Sequence, residues 1–308
     1  MTAGSLSQAA DRPRRFRLTE RRREYIAFLL FILPDIALLL VWVFWPFLHS
    51  LYLSMTDWNL LKPTWNMVWL NNYLYLLQSN VFWQITRNTL LFAVGTVAVR
   101  LVLSLALAVL LNQKLMARGF WRLAVFSPHI TTTAAMALVW ISMYDPRYGP
   151  FAAFSALFGI DFPNVLASTT YVLPALMVVA IWKGLGFSTV VFLAALQSVD
   201  RTLVEAASID GANAWQRFRH VSLPAISPVT YFLMVTGLIG AIQTFDIVQV
   251  MTGGDPGNAS NIYVYQIYLE AFRFNRMGHA SALAVIMFFI VMIFTVIQTR
   301  LKSKWVSY

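Results

Sequence analysis

The sequence predicts an all-α membrane protein with six transmembrane helices, and three observations support this fold class. Of its 308 residues, 59% are hydrophobic and 12% are charged, whereas soluble domains carry roughly 25% charged residues. The hydrophobic residues form long runs, and runs of about 20 apolar residues are typical of helices that span a bilayer. The basic residues cluster at the ends of those runs, as they do in membrane proteins.

The first segment, residues 1–24, is polar and contains seven arginines. We predict a basic tail that ends at the membrane surface, where arginine contacts anionic lipid headgroups. We do not expect a cleaved signal peptide, because the apolar run that follows is too long and no small-residue cleavage site ends it.

Six predicted spans follow the tail. The first, residues 25–55, contains Pro34 and Pro46, which we expect to kink the helix. Pro224 suits the start of the fifth span, because the first turn of a helix has no intrahelical use for that N–H. The remaining predicted spans are residues 83–111, 123–144, 170–196, 223–251 and 277–298.

The distribution of basic residues predicts the orientation. The two termini and the loops after the second and fourth spans together contain 16 Lys and Arg residues. The other three loops contain four, namely Lys62, Arg147, Arg273 and Arg276. Because positive residues accumulate on the cytoplasmic side, we predict that both termini are cytoplasmic, including a short tail at residues 301–308.

Composition also excludes several function classes. The net charge of +10 does not indicate nucleic-acid binding, because the basic residues lie where they orient helices and contact membrane lipid. The chain has no cysteine, and its four histidines are scattered with no pair at metal-ligand spacing. We therefore expect no metal site.

A polar loop, residues 197–222, separates the fourth and fifth spans and carries a spaced motif. It reads E-A-A, three residues, G, nine residues, then V-x-L-P. This pattern resembles the EAA motif of permease subunits in binding-protein-dependent ABC importers, with Val221 in place of isoleucine as the one departure. The residues that carry the resemblance are Glu205, Ala206, Ala207, Gly211, Leu223 and Pro224.

The resemblance covers residues 85–300, preceded by a separate region, residues 25–84, that contains the first helix and an outer loop. The segment 198–229, Phe245-Asp246 and the turn at residues 252–254 look like the carbohydrate-uptake branch of these permeases. Within that branch the chain is most similar to the first permease subunit of sn-glycerol-3-phosphate importers, with maltose-, trehalose- and multiple-sugar-type permeases close behind. This similarity implies a bacterial plasma membrane location.

The physical pattern of the loop fits a docking role. Gly211 can turn the chain at the end of a short helix, and Asn213 or Asp210 can cap the helix that follows. In the family this element docks on the ATP-binding subunit. The resemblance therefore implies that Asp210 and the motif residues contact that subunit. The alternative is an amphipathic helix that lies on the lipid headgroups. Under either interpretation, the spacing predicts that four residues of the loop share one helical face, namely Leu203, Ala206, Ala207 and Asp210.

The resemblance implies three kinds of protein partner besides membrane lipid. They are a second homologous permease subunit, two ATP-binding cassette ATPase subunits and an extracytoplasmic solute-binding lipoprotein. The chain itself has no G-x-x-x-x-G-K-[ST] motif. We therefore expect a transport subunit that is not an enzyme and binds no cofactor, with ATP and magnesium held by the ATPase subunits.

Polar residues within the spans are candidates for the substrate pathway, because ionisable groups there usually face the bundle interior. Gln243 and Asp246 are three residues apart, so we predict that they share one face of the fifth span. The alternative is structural, with Lys183 or Arg100 paired to a carboxylate such as Asp246 or to backbone carbonyls. The candidates are Lys183, Trp182, Gln243, Asp246, Asn88 and Arg100.

The sequence gives less support to two other function classes, a standalone secondary transporter and a membrane enzyme or structural anchor. A standalone secondary transporter would show internal repeats with broken helices in corresponding halves, and a membrane enzyme would show a catalytic constellation in the spans; the sequence shows neither. The resemblance to sn-glycerol-3-phosphate permeases implies glycerol phosphate or a related phosphodiester as the first choice of solute, and a phosphate ester needs cations. An oligosaccharide is the second choice.

Overall fold

The computed structural model describes residues 20–113 and 116–302. The predicted basic tail therefore lies outside the described residues up to position 19, as do Lys114 and residues 303–308. The chain divides into two units, residues 1–49 and residues 50–308. The described part consists of helices and loops, with one isolated β-bridge between Thr56 and Met67.

The first long helical segment contains a π-helical turn. It comprises α1 (Glu20–Leu39), the π turn (Leu40–Phe44) and α2 (Trp45–Leu53). Pro34 lies inside α1, and the π turn ends directly before Trp45 and Pro46. Because proline lacks an N–H and its ring crowds the carbonyl four residues earlier, a wider turn at this point accommodates it.

The second span is continuous. After the short helix α3 (Asn71–Gln78), α4 (Asn80–Leu111) runs for 32 residues. At 1.5 Å per residue this is about 48 Å, more than enough to cross a bilayer. The predicted span at 83–111 is thus confirmed as a helix that begins three residues earlier.

The predicted third span is not one continuous helix. Residues 123–144 fall in two helices, α5 (Arg118–Ile130) and α6 (Thr133–Met143), which are bent by 102° relative to each other. Thr131 and Thr132 between them have extended backbone. Pro128 and the threonines favour an end to the helix here, because proline and β-branched residues weaken helical hydrogen bonding and packing.

A loop with the short helix α7 (Pro150–Ala156) leads to α8 (Val172–Ser198). The helix α8 matches the predicted fourth span, 170–196, to within two residues. The polar loop after it contains helices α9 (Arg201–Ile209) and α10 (Ala214–Arg217).

The predicted fifth span, 223–251, is broken twice. Helical residues 214–225, which end in α11 (Leu223–Ala225), are bent by 62° from α12 (Ser227–Ile242). The helix stops again at Gln243 and resumes as α13 (Asp246–Met251). Pro224 lies in the first turn of α11, as predicted, but α11 directly continues a π turn at Phe218–Ser222 that begins in the loop.

The last part of the described chain contains a long apolar helix of 26 residues. The short helix α14 (Tyr263–Tyr268) continues into a π turn (Leu269–Arg273), and α15 (Met277–Lys302) follows. The helix α15 begins where the sixth span was predicted and extends four residues beyond its predicted end. Glu270 in the π turn is buried and forms a salt bridge of 2.8 Å with Arg276.

Four helical segments of the described chain are long and apolar enough to cross a membrane. The number rises to six if each of the two bent helix pairs is counted as one span. The multi-pass all-helical architecture is confirmed. The six-span count depends on whether the bent pairs cross the bilayer.

The core of the second unit lies where α4 and α8 pack against α6 and α13. Phe92, Ala137, Val179 and Val248 are fully buried there. A second apolar cluster, around Phe192, joins the ends of α4 and α8 to the start of α12. Its counterpart near Phe82 joins the other end of α4 to α14 and α15. The helices α4 and α8 therefore run parallel to each other, and the polar loop at 197–222 follows the C-terminal end of α8.

Candidate functional site

The polar loop carrying the E-A-A motif folds into two short helices separated by a glycine turn. Asp200 caps α9 by accepting a 2.9 Å hydrogen bond from the Thr202 N–H. Gly211 has φ +82°, in the left-handed region, and a Cβ there would meet no atom within 4 Å. Since only the backbone conformation restricts this position, Gly211 makes the turn that the sequence predicts.

The second short helix is held by a reciprocal cap. Asn213 accepts a hydrogen bond from the Gln216 N–H at 2.9 Å, and its own N–H donates to Gln216 Oε1 at 2.8 Å. Arg217 Nη1 donates to the Ala212 carbonyl at 2.6 Å. Of the two predicted caps, Asn213 rather than Asp210 is the one that forms.

The loop presents apolar side chains on an otherwise polar surface. Glu205, Ala206 and Asp210 are exposed, and so are Ile209 at 87% and Trp215 at 68%. Leu203 is 55% exposed. Exposed large apolar side chains in a polar loop are typical of an interaction surface. Ile209 and Trp215 were not among the predicted docking residues, although large apolar residues in a polar loop were visible in the sequence.

The cap of α9 also lowers the pKa of the Asp200 carboxyl group. The backbone hydrogen bond from Thr202 lowers the pKa of Asp200 below its ordinary value of 3.8. Asp200 is therefore ionised at neutral pH, and a carboxylate at this position also interacts favourably with the positive end of α9.

A cavity of about 420 Å³ brings together four of the six predicted pathway residues. We call it the transport cavity. Its walls are α4, α8, the residues on either side of the break at 131–132, and the stretch 240–247 around the second break. The predicted residues that line it are Arg100, Lys183, Gln243 and Asp246.

Arg100 passes between two glycines of neighbouring helices. A Cβ on Gly184 of α8 would lie 2.6 Å from Arg100 Nη1, and a Cβ on Gly237 of α12 would collide with Nη2. Arg100 Nε is buried without a hydrogen-bond partner among the described residues, and so is Thr96 Oγ1 one turn earlier. Both atoms are thus unpaired within the described chain, although buried polar groups are rarely left so.

Lys183 has a structural contact as well as a place in the cavity. Its Nζ donates a 2.6 Å hydrogen bond to the carbonyl of Thr131, at the end of α5. The backbone-carbonyl alternative is therefore confirmed for Lys183. Within the described residues, both salt bridges involve Glu270, so neither Lys183 nor Arg100 is ion-paired to Asp246.

Gln243 and Asp246 meet for a different reason from the one predicted. They do not share one face of a continuous helix, because Gln243 is the last capping residue of α12 and Asp246 the first residue of α13. The turn between them exposes both side chains and directs them into the same cavity. A break in the helix, rather than its periodicity, brings them together.

Asn88 and Trp182 do not line the transport cavity. Asn88 is 7% exposed, and its amide nitrogen donates to the carbonyls of Asn258 and Asn261 at 2.9 and 3.0 Å. It therefore anchors the loop after α13 to α4. Trp182 packs edge-on against Trp140, with ring centroids 5.5 Å apart, beside a separate apolar groove.

Sequence reasoning missed four polar residues of the cavity. His129 lies at the end of α5, with its ring stacked on Phe187 at a centroid distance of 5.2 Å. The threonine run after Pro128 was the available signal, since polar residues within an apolar segment often line a cavity. The missed residues are Thr96, His129, Thr133 and Thr244.

In the described part of the chain, no three His, Cys, Asp or Glu side chains converge as metal ligands would. The pathway candidates are hydrogen-bonding and charged groups. They suit recognition of a polar or anionic solute.

Comparison with known proteins identifies the family. Residues 101–307 match the family described as the inner membrane component of binding-protein-dependent transport systems. The chain belongs to this family. It is a permease subunit of the carbohydrate-uptake branch of ABC importers, as the resemblance of the E-A-A motif and of the segments around it predicted.

Two curated relatives cover nearly the whole permease. A trehalose/maltose transport system permease of Thermococcus litoralis is 32% identical over 274 residues, covering 88% of this chain and 92% of the relative. An sn-glycerol-3-phosphate transport system permease of Yersinia pestis is 31% identical over 280 residues, covering 91% and 95%.

A solved structure shares the fold of the permease. A bacterial ABC transporter involved in the import of the acidic polysaccharide alginate superposes with a TM-score of 0.78 at 22% identity. The superposition covers 92% of this chain and 96% of that chain. A second structure, of the bacterial alginate transporter in complex with a pentasaccharide-bound periplasmic protein, gives a TM-score of 0.80.

Proposed function

We propose that this permease forms half of the translocation pathway of an ATP-driven importer for sn-glycerol 3-phosphate or a related glycerophosphodiester. The observation that carries the proposal is the charge of the transport cavity. Arg100 and Lys183 line it together with a single carboxylate, Asp246. A phosphate ester requires such an excess of cationic donors, whereas a neutral sugar does not.

The donors of the cavity are spaced around its walls. Arg100 offers guanidinium N–H groups from α4, and Lys183 has two further ammonium protons besides the one given to Thr131. Thr96 adds an unpaired hydroxyl one turn from Arg100. The phosphate would contact these groups, and the glycerol hydroxyls would bond to Gln243 and Asp246.

A sugar importer is the second candidate function. Its support is the neutral polar lining, in which Thr133, Thr244 and Gln243 offer the hydroxyl and amide groups that sugar recognition uses. The similarity to the trehalose/maltose permease also favours it.

We propose that the loop at 197–222, together with Leu223-Pro224, docks on an ATPase subunit that holds ATP and magnesium. Support comes from the motif, from the exposed Leu203, Ile209 and Trp215, and from the rigid caps of α9 and α10. The bend between residues 214–225 and α12 would carry movement of the loop to the cavity wall. A second permease, a second ATPase and a solute-binding protein complete the transporter.

The basic-residue distribution supports a cytoplasmic position for this loop and both termini. The solute-binding protein would then deliver the solute at the opposite face of a bacterial plasma membrane. We also propose that residues 25–84 form the first transmembrane helix and an outer loop, and that residues 85–300 form the transmembrane domain of the importer.

Uptake competition tests the solute. Cells that import radiolabelled glycerol 3-phosphate through this transporter should lose uptake when unlabelled glycerol 3-phosphate is added, and keep it with maltose or trehalose. An Arg100→Gln variant should lose uptake of the phosphate ester. If a disaccharide abolishes uptake and glycerol 3-phosphate has no effect, the second candidate replaces the first.

Co-purification tests the docking. The ATPase subunit should accompany the wild-type permease and be lost from Glu205→Lys and Gly211→Pro variants. Undiminished recovery with both variants would exclude docking through this loop.

A further inference from the structure

A groove on the outer surface of the second unit lies on the opposite side of α4 from the transport cavity. Its volume is about 1160 Å³. Arg87, Leu91 and Val94 of α4 line it at helical spacing, whereas Thr96 and Arg100 face the cavity. Residues 169–177 of α8 and its preceding loop form the other wall. We call this the α4–α8 groove.

The groove contains an arginine that the described residues do not neutralise. Arg87 is exposed, and neither salt bridge of the described chain involves it. None of the residues that line the groove is acidic. Gln84 one turn away is already engaged, because its amide nitrogen donates to the Gly257 carbonyl at 2.9 Å. The guanidinium of Arg87 is therefore the free charged donor of the groove.

The arginine lies above an apolar surface. Arg87 is seven residues into α4, about 10 Å along the helix axis. Trp83 is exposed one turn closer to the helix start, where aromatic residues favour the membrane interface. Farther along the helix, Leu91 and Val94 are each 50% exposed, and Met177 faces them from α8. Charge near the headgroup level with hydrocarbon below matches the two parts of a phospholipid.

We propose that the α4–α8 groove binds one anionic glycerophospholipid of the leaflet opposite the E-A-A loop. Its phosphate contacts Arg87, and an acyl chain lies along Leu91, Val94 and Met177. A free phosphate ion would gain nothing from the apolar walls. A protein segment would need a carboxylate of its own to neutralise Arg87.

Lipid retention tests the proposal without reference to transport. The transporter is purified in mild detergent from a membrane that contains phosphatidylglycerol and phosphatidylcholine, and the retained lipids are counted by native mass spectrometry. We expect the wild type to retain phosphatidylglycerol selectively. Arg87→Gln should weaken retention by about tenfold, the effect of losing a charge-assisted hydrogen bond. Arg147→Gln is the matched control, because Arg147 is exposed but lies outside the groove.

A second variant keeps the charge and fills the space. Leu91→Trp should also reduce phosphatidylglycerol retention, since its side chain would occupy the acyl position. This variant decides the question if Arg87→Gln is not stably folded. Inorganic phosphate and glycerol 3-phosphate at millimolar concentration should not displace the lipid.

Three results would overturn the proposal. One is equal retention of phosphatidylglycerol by the wild type, Arg87→Gln and Leu91→Trp. Another is displacement by inorganic phosphate, which would identify a simple anion site. The third is loss of another protein subunit from Arg87→Gln with lipid retention unchanged, which would assign the groove to a protein partner.

Discussion

Lys183 Nζ donates a 2.6 Å hydrogen bond to the carbonyl of Thr131. The bond links α8 to the break between α5 and α6, where the chain bends by 102°. The same ammonium group lines the transport cavity. One side chain therefore serves both the shape of the cavity wall and its charge.

The two roles of Lys183 can be separated by substitution. We expect Lys183→Gln to keep a hydrogen bond to Thr131, and so to retain thermal stability, while lowering the apparent affinity for an anionic solute by about tenfold. Lys183→Met should lose both. Thermal unfolding and concentration-dependent uptake measure the two effects. Equal uptake affinity in the wild type and Lys183→Gln would remove Lys183 from solute recognition.

Gly237 tests the position of Arg100 without changing its charge. A methyl group at Gly237 would collide with Arg100 Nη2. We therefore expect Gly237→Ala to displace the guanidinium and to reduce uptake in the same direction as Arg100→Gln. Gly119→Ala is the control, because a Cβ there meets no atom within 4 Å. If Gly237→Ala transports normally, the guanidinium does not need this position.

Gly211 tests the turn in the E-A-A loop. With φ +82° and open space around it, Gly211→Ala should cost about 1–2 kcal/mol in this conformation. Gly211→Asn should cost less, because asparagine adopts left-handed backbone more readily. We expect ATPase co-purification to fall in the order Gly, Asn, Ala. Equal recovery from all three would show that the turn does not control docking.

Asp200 predicts a pH dependence of α9. Its pKa is lowered by the hydrogen bond from Thr202, so the folded loop favours the carboxylate. The stabilisation is complete above 3.8, the ordinary pKa, and is lost as the pH falls through the lowered value. Hydrogen exchange at Thr202 should therefore become faster in acid, relative to an Asp200→Ala variant. A constant ratio of the two exchange rates across this range would contradict the capping role.

The buried Glu270 predicts a large effect on stability. Its side chain is 6% exposed and pairs with Arg276 at 2.8 Å. Arg276→Gln would leave this buried carboxylate with a hydrogen bond from Gln266 at 3.0 Å and with His279 at 3.7 Å, but without its arginine partner. We expect a loss of roughly 3 kcal/mol, measured by denaturation in detergent. Arg273→Gln, on an exposed neighbour, is the control. In a Glu270→Gln background, Arg276→Gln should destabilise the protein less. An equal loss of stability in both backgrounds would argue against the Glu270–Arg276 pair.

Apolar run length and motif spacing were sufficient for the architecture and the family. The runs predicted α4, α8 and α15 to within a few residues, because a bilayer requires a minimum length of apolar helix. The E-A-A spacing predicted the turn at Gly211, since its left-handed backbone depends on the residue at that position.

The transport cavity shows what local sequence could not decide. From hydropathy we predicted that residues 123–144 and 223–251 each form a single helix, because each segment remains apolar across the point where its helix is broken. At the break at 131–132 a tertiary contact satisfies a freed backbone group, because Lys183 donates to the Thr131 carbonyl.

The sequence by itself determined that this chain is a helical membrane permease and where its E-A-A loop lies. Those properties follow from apolar length and residue identity at fixed spacing. Only the tertiary structure decided that Arg100, Lys183, Gln243 and Asp246 share one cavity, and that Asn88 and Trp182 lie outside it. These positions depend on helix breaks and on packing between segments far apart in the chain, which no local pattern specifies.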